Sequence, residues 1–131
     1  MAKNLWLQNK VYSEGDGAFI EQGAPAADTT TSFAPTVANF LDDRLLQVTN
    51  ASAVTFTLPT GAVLDAYFDN LPVGAAFDWS LINTGSSSGA ATVTAATGHT
   101  IVGAAVVAIS TAGMFRTRKT AADTFVTYRI G

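Results

Sequence analysis

The chain has no cysteine, which excludes disulfide staples, thiol chemistry and thiolate metal centres together. Its fold must therefore stand by packing or by oligomerising. It has a single histidine, His99, so a zinc site of the usual composition cannot be assembled. Ser80, Ser86, Ser87 and Ser88 have no base beside them in sequence, and His99 alone does not make a triad. Charge is scarce: 13% of the 131 residues are charged, against about 25% in ordinary soluble proteins. With 7 Lys and Arg against 10 Asp and Glu, the formal net charge is −3. Arg116, Arg118 and Lys119 form the one cationic cluster, too small for the phosphate footprint that nucleic-acid binding requires. No apolar run approaches a membrane span. Lys3 precedes only Leu5-Trp6-Leu7 before Gln8-Asn9-Lys10 breaks the run, so no secretion signal is expected and the chain is placed in a cytoplasm, or in something assembled there. The expectations are no nucleic acid, no membrane, no metal, no cofactor and no enzyme.

Thr, Val, Ala and Gly take the place of the missing charge. From Arg44 onward the pattern is that of short alternating strands. Leu46 and Val48 alternate with Leu45 and Gln47, and Val54, Phe56 and Leu58 point one way until Pro59 ends the ladder. Phe77, Trp79 and Leu81 line one face of the strongest strand. Further strands are expected at residues 91–95, 100–102, 105–109 and 114–117, the last with Phe115 inward. A closing strand at 124–130 has Val126, Tyr128 and Ile130 on one face. Between the strands, Leu64, Tyr67, Phe68 and Leu71 follow helical spacing, with Thr60 as N-cap and Pro72 as stop. Asn83 to Gly89 reads as a flexible loop by composition. Turn signals every eight to twelve residues or so indicate a sandwich or barrel.

The first forty or so residues differ. Gly15, Gly17, Gly23, Pro25 and Pro35 punctuate a segment of poor periodicity with single aromatics at Trp6, Tyr12, Phe19, Phe33 and Phe40. It reads either as an arm that orders on a partner or as a tail. The expected fold is thus all-β: a small antiparallel β-sandwich, jelly-roll-like, with one short helix and an extended N-terminal arm. The arm is residues 1–43 and the sandwich residues 44–131.

Isolated chemical features have plain structural readings. His99 is expected at a turn or on the surface. Asp65 and Asp69 stack along one helix edge as a solvated face, whereas catalytic carboxylates oppose each other across a cleft. Glu14-Gly15-Asp16-Gly17 lacks the alternating oxygens of a calcium loop. Trp6, flanked by Leu5 and Leu7 near the chain's end, reads as a docking anchor or as a residue packed on its own domain. Arg116, Arg118 and Arg129 are expected to look outward, where they can pair between protomers or with acidic groups of a partner. A Thr- and Ala-rich outer face costs little to desolvate, which suits assembly rather than catalysis.

Taken in order, the T-L-P after the Val54 strand, the short helix, Val73-Gly74, the Phe77-to-Asn83 strand ending I-N-T, the T-V-T strand, the V-G bend and a terminal T-x-x-x-Y-R-I resemble a β-rich module of tailed-bacteriophage virion proteins. The resemblance is chiefly to capsid decoration (cement) proteins, including those of viruses infecting cyanobacteria, and covers residues 45–131. It implies a homotrimer on the outer surface of a phage head, assembled in the host cytoplasm, that binds the major capsid protein and holds neighbouring coat subunits together. Trp6, Tyr12 and Phe19 are then the expected coat-protein contacts, and Arg116, Arg118 and Arg129 the expected intersubunit ones. Similar modules in tail fibres make a receptor- or glycan-binding appendage tip the alternative.

Overall fold

Alternating residues settle as strand wherever one of their two faces can be covered. In the computed structural model, which describes residues 22–131, two sheets do the covering. The strands are β1 (Ala26–Asp28), β2 (Ser32–Phe33), β3 (Leu45–Val48), β4 (Val54–Thr57), β5 (Ala76–Asn83), β6 (Ala91–Thr94), β7 (His99–Val102), β8 (Val106–Val107), β9 (Thr111–Ala121) and β10 (Thr124–Arg129). Six form one sheet in the order β1-β3-β5-β9-β10-β7, and four form the other in the order β2-β4-β6-β8. Among the described residues, helix is limited to a π-helical turn at Asn39–Asp43 and to α1 (Gly61–Tyr67). A mostly β chain with two sheets was the expectation, and it is met.

The connectivity differs from that expectation. From β1 to β9 every connection carries the chain to the opposite sheet. Successive strands of one sheet therefore return in the same direction: β1, β3 and β5 pair parallel, as do β2, β4 and β6. Phe33, Phe56 and Val93 fall in one column across the four-stranded sheet. Only then does the chain reverse, laying β9 antiparallel against β5, β8 against β6, and β10 against β9. β7 closes the far edge parallel to β10. Five of eight pairings are parallel, so a wholly antiparallel architecture is corrected. Alternation reports which face is buried and is silent on the direction of the neighbour. The turn at Asn50-Ala51-Ser52 carries the chain from β3 in one sheet to β4 in the other.

The two inner faces share one core centred on Trp79. Its indole stacks on Phe115 at 4.4 Å and on Phe56 of the opposite sheet at 5.7 Å, with Phe40 tilted against it at 4.8 Å. Leu46, Val48, Val54, Leu58, Leu81 and Val93 complete it, as their alternation requires. The segment expected as an arm needs correction here too. Its residues 26–43 supply β1, β2 and the buried side chains Phe33, Phe40 and Leu41. They belong to the body of the fold.

α1 begins where Thr60 Oγ1 accepts from the Val63 amide at 3.4 Å, and its Leu64 is buried. Only glycine fits at Gly61, where a Cβ would lie 2.0 Å from the Asp123 carbonyl oxygen. The helix stops at Tyr67 because Phe68 turns extended (φ −113°, ψ 132°), and Tyr67, Phe68 and Leu71 cover the core from there.

Candidate functional site

Strict alternation along β9 sends Gly113, Phe115, Thr117 and Lys119 inward and Met114, Arg116 and Arg118 outward. On β10, Phe125 and Thr127 go inward, leaving Val126 and Tyr128 on the outer face. Registry then sets Arg116 between Asp78 and Tyr128, and Arg118 between Ala76 and Val126. Arg116 grips Asp78 with both arms of its guanidinium, Nε to Oδ1 at 2.6 Å and Nη2 to Oδ2 at 2.8 Å. That bidentate bond holds the Asp78 carboxyl below the usual carboxylate range and raises Arg116 further. Both side chains remain about half exposed (53% and 48%). Met114, Ile130 and Val102 are exposed around this pair. The outer face of the six-stranded sheet accordingly mixes apolar side chains with Thr, Ser and Gln and carries little charge: among the described residues, one internally neutralised ion pair and Arg118 as the remaining cation.

Arg129 does not share that face. Its parity on β10 is that of Phe125 and Thr127, so it folds inward at the end of the sheet. The guanidinium lies 5.1 Å from the centre of the Phe115 ring. It donates to the Val106 carbonyl at 3.1 Å, to the Ala104 carbonyl at 3.4 Å and to the Gly131 carbonyl. The expectation that all three arginines look outward is corrected for this one. Trp6, Tyr12 and Phe19 lie outside the described residues.

A second group of polar side chains is interior, and the sequence reading missed it. His99, expected at a turn or surface, is 7% exposed. Its Nδ1 faces the Pro59 carbonyl at 3.1 Å and its Nε2 faces Thr127 Oγ1 at 2.7 Å. Thr127 meets Thr117 Oγ1 at 2.7 Å, and Trp79 Nε1 donates to Thr117 at 2.9 Å. A carbonyl only accepts, so Nδ1 carries the imidazole proton and Nε2 accepts from Thr127. Thr127 in turn accepts from Thr117, which accepts from Trp79. The file has one direction and crosses four adjacent strands, β5, β9, β10 and β7, before ending at Pro59 beyond β4. Protonating His99 would set two donors face to face and reverse the file. Burial pushes the imidazole down from its ordinary pKa, against the pull of the Pro59 carbonyl.

Lys119, also inward by parity, is 8% exposed. Its ammonium reaches Asp65 Oδ1 at 2.5 Å and the Leu71 carbonyl at 2.7 Å. The Asp123 amide donates to Asp65 Oδ2 at 2.9 Å, and this bond with that of Lys119 holds the Asp65 carboxyl low. Asp65 is therefore no solvated helix edge; it ties α1 to β9 and to the β9–β10 turn. The loop after β5 is likewise stitched down. Asn83 donates to the Gly89 and Val107 carbonyls and accepts from the Gly85 amide. Ser86 and Ser88 amides donate to the Asn50 and Ala51 carbonyls.

Where the chain leaves α1, a cleft of about 180 Å³ opens between Leu41, Leu64, Phe68, Leu71, Ala75, Ala76, Phe77 and Phe125, with Arg44 at its mouth. Among the described residues no three His, Asp or Glu side chains group to hold a metal ion, and no helix is long and apolar enough to cross a membrane. No family model, curated protein or solved structure matches the chain.

Proposed function

We propose that the chain is a capsid decoration (cement) protein of a tailed bacteriophage, a non-enzymatic homotrimer bound to the outer surface of the head through the major capsid protein. The observation that carries the reading is the outer face of the six-stranded sheet. There Met114, Val102 and Ile130 stand exposed around an ion pair that is already satisfied within the chain. Such a face suits burial against another protein, since large apolar side chains stand exposed on it as in an interface core. Its ion pair, which costs desolvation when buried, keeps its partner. The resemblance of residues 45–131 to decoration proteins supplies the location, and Arg118 beside that face is the cation best placed to reach a neighbouring subunit. On this reading the two sheets with their shared core form a β-sandwich. Its alternate-sheet winding departs from the antiparallel Greek keys of a jelly roll.

The test is copy number against the major coat protein in purified virions, measured by quantitative mass spectrometry. A ratio near that of the coat subunit is expected. A handful of copies per particle would move the protein to the tail.

A further inference from the structure

The cleft beside α1 is lined by side chains that ordinarily face each other. Leu41, Leu64 and Phe125 form its floor and are 2% exposed or less. It stays open because α1 ends at Tyr67, Phe68 turns away in extended form, and the chain enters β5 through Ala75 and Ala76, which offer only methyl groups. Its volume of about 180 Å³ lies below the range of about 300–1,000 Å³ usual for small-molecule sites. An apolar cavity of about 150 Å³ takes up benzene. The space therefore suits one large apolar side chain.

Arg44 sets the polarity of the mouth. Its Nε donates to the Leu41 carbonyl at 2.8 Å and its guanidinium lies 5.6 Å from the centre of the Phe77 ring. The head group is thus held in place, with its terminal nitrogens unbonded by any carboxylate among the described residues. Nearby acids make their hydrogen bonds elsewhere: Asp78 is gripped by Arg116 and feels Arg44 only through space, and Asp42 accepts from the Tyr67 hydroxyl at 2.8 Å. A fixed cation at the rim of an apolar socket complements an anion beside an apolar group.

From this we infer that the cleft is an anchor socket for a single large apolar side chain of a partner protein, with a carboxylate adjoining it on the Arg44 side. Buried anchors in pockets with a polar rim are the usual form of an interface hot spot. The inference deepens the decoration reading and rests on it only for which protein supplies the anchor.

The probe is 3-phenylpropionate, titrated into the full chain and followed by amide and methyl NMR, beside its neutral amide and acetate. Shifts should centre on Leu41, Leu64, Phe77 and Phe125. The acid should bind about three- to five-fold more tightly than the amide, the range of one exposed ion pair, and acetate should not bind there. Arg44→Met should abolish the preference of acid over amide. Arg44→Asn, a residue at ease at the left-handed φ of 57° found there, should do the same and guards against misfolding of the first variant. No shift at the cleft, equal binding of acid and amide, or a preference that survives both substitutions would overturn the inference. None of these readouts involves a capsid, so the socket and the decoration role stand or fall separately.

Discussion

Replacing Thr127 by valine keeps the shape of a fully buried side chain (0% exposed) and removes one hydroxyl. That hydroxyl is a middle link of the file from Trp79 to His99. Without it the Thr117 O–H loses its acceptor and His99 Nε2 loses its donor, both away from water. Each stranded group costs about 1–3 kcal/mol, so with partial relaxation Thr127→Val should destabilise by about 2–4 kcal/mol. Thr127→Ser keeps the hydroxyl and loses one methyl, at about 1 kcal/mol. Against a total stability of about 5–15 kcal/mol the valine variant should be conspicuous, with its melting temperature lowered by about 10 °C. Urea unfolding at neutral pH, followed by circular dichroism, reads both variants on one scale. The ordering is the decisive result, since ordinary packing predicts the reverse: valine fills the space better than serine. Should valine prove as stable as the parent, or more stable than serine, the directional file would have no energetic role.

The same file gives a pH signature. His99 has a folded pKa below its ordinary 6.5, so below that pH the unfolded chain takes up the proton first. Stability should therefore fall as pH drops through the window beneath 6.5, by at most about 1.4 kcal/mol per unit. Asp65 and Lys119 are paired with each other, and His99→Gln should flatten the slope in urea titrations at successive pH values. Asp65→Asn should cost about 2–4 kcal/mol by leaving Lys119 buried without a counter-ion, and adding Lys119→Met should restore most of the loss. Thermal unfolding of the single and double variants checks this, and equal melting temperatures would refute it. On the decoration reading, deleting residues 1–20 should abolish capsid binding in co-sedimentation while leaving the described fold intact; unchanged binding would remove the arm from the mechanism.

Faces were legible in the sequence, and directions were not. Val54, Phe56 and Leu58 are buried as their spacing demands, and Thr60 caps α1, because both signals are local. Parallel pairing of β1, β3 and β5 arises from passages through the opposite sheet, which no local pattern encodes. β1 and β2 were overlooked because strands of three and two residues are too short to show a period. The polar interior was hidden for a different reason. Thr117, Lys119 and Thr127 occupy inward positions of β9 and β10, and their parity with Phe115 and Phe125 was the available signal. Reading threonine as a surface residue set that signal aside. Lys119 needed the further knowledge that Asp65 would arrive opposite, a contact 54 residues away.

How the cations are placed limits how the molecule can attract a partner. Lys119 is held by Asp65, and Arg116 by Asp78. Arg129 is folded over Phe115 among backbone carbonyls. Among the described residues this leaves Arg44 and Arg118 without a hydrogen bond to a carboxylate, Arg44 still lying within the field of Asp78. Two such charges among the described residues, in a chain of net charge −3, give little long-range steering, which needs extended potentials of one sign. On the decoration reading, attachment would then rest on contacts that act only at short range: exposed apolar side chains such as Met114 and Val102, and the proposed socket the size of one side chain. Individually these are weak, and an isolated copy would dissociate quickly. A closed oligomer changes the arithmetic, because after one copy binds the others do so at high effective concentration, multiplying avidity without any new contact. On the decoration reading, a low-charge face and symmetric self-assembly are therefore complementary demands of one design. The first lets a large array of neighbouring subunits be covered without long-range repulsion, and the second makes weak apolar contacts last.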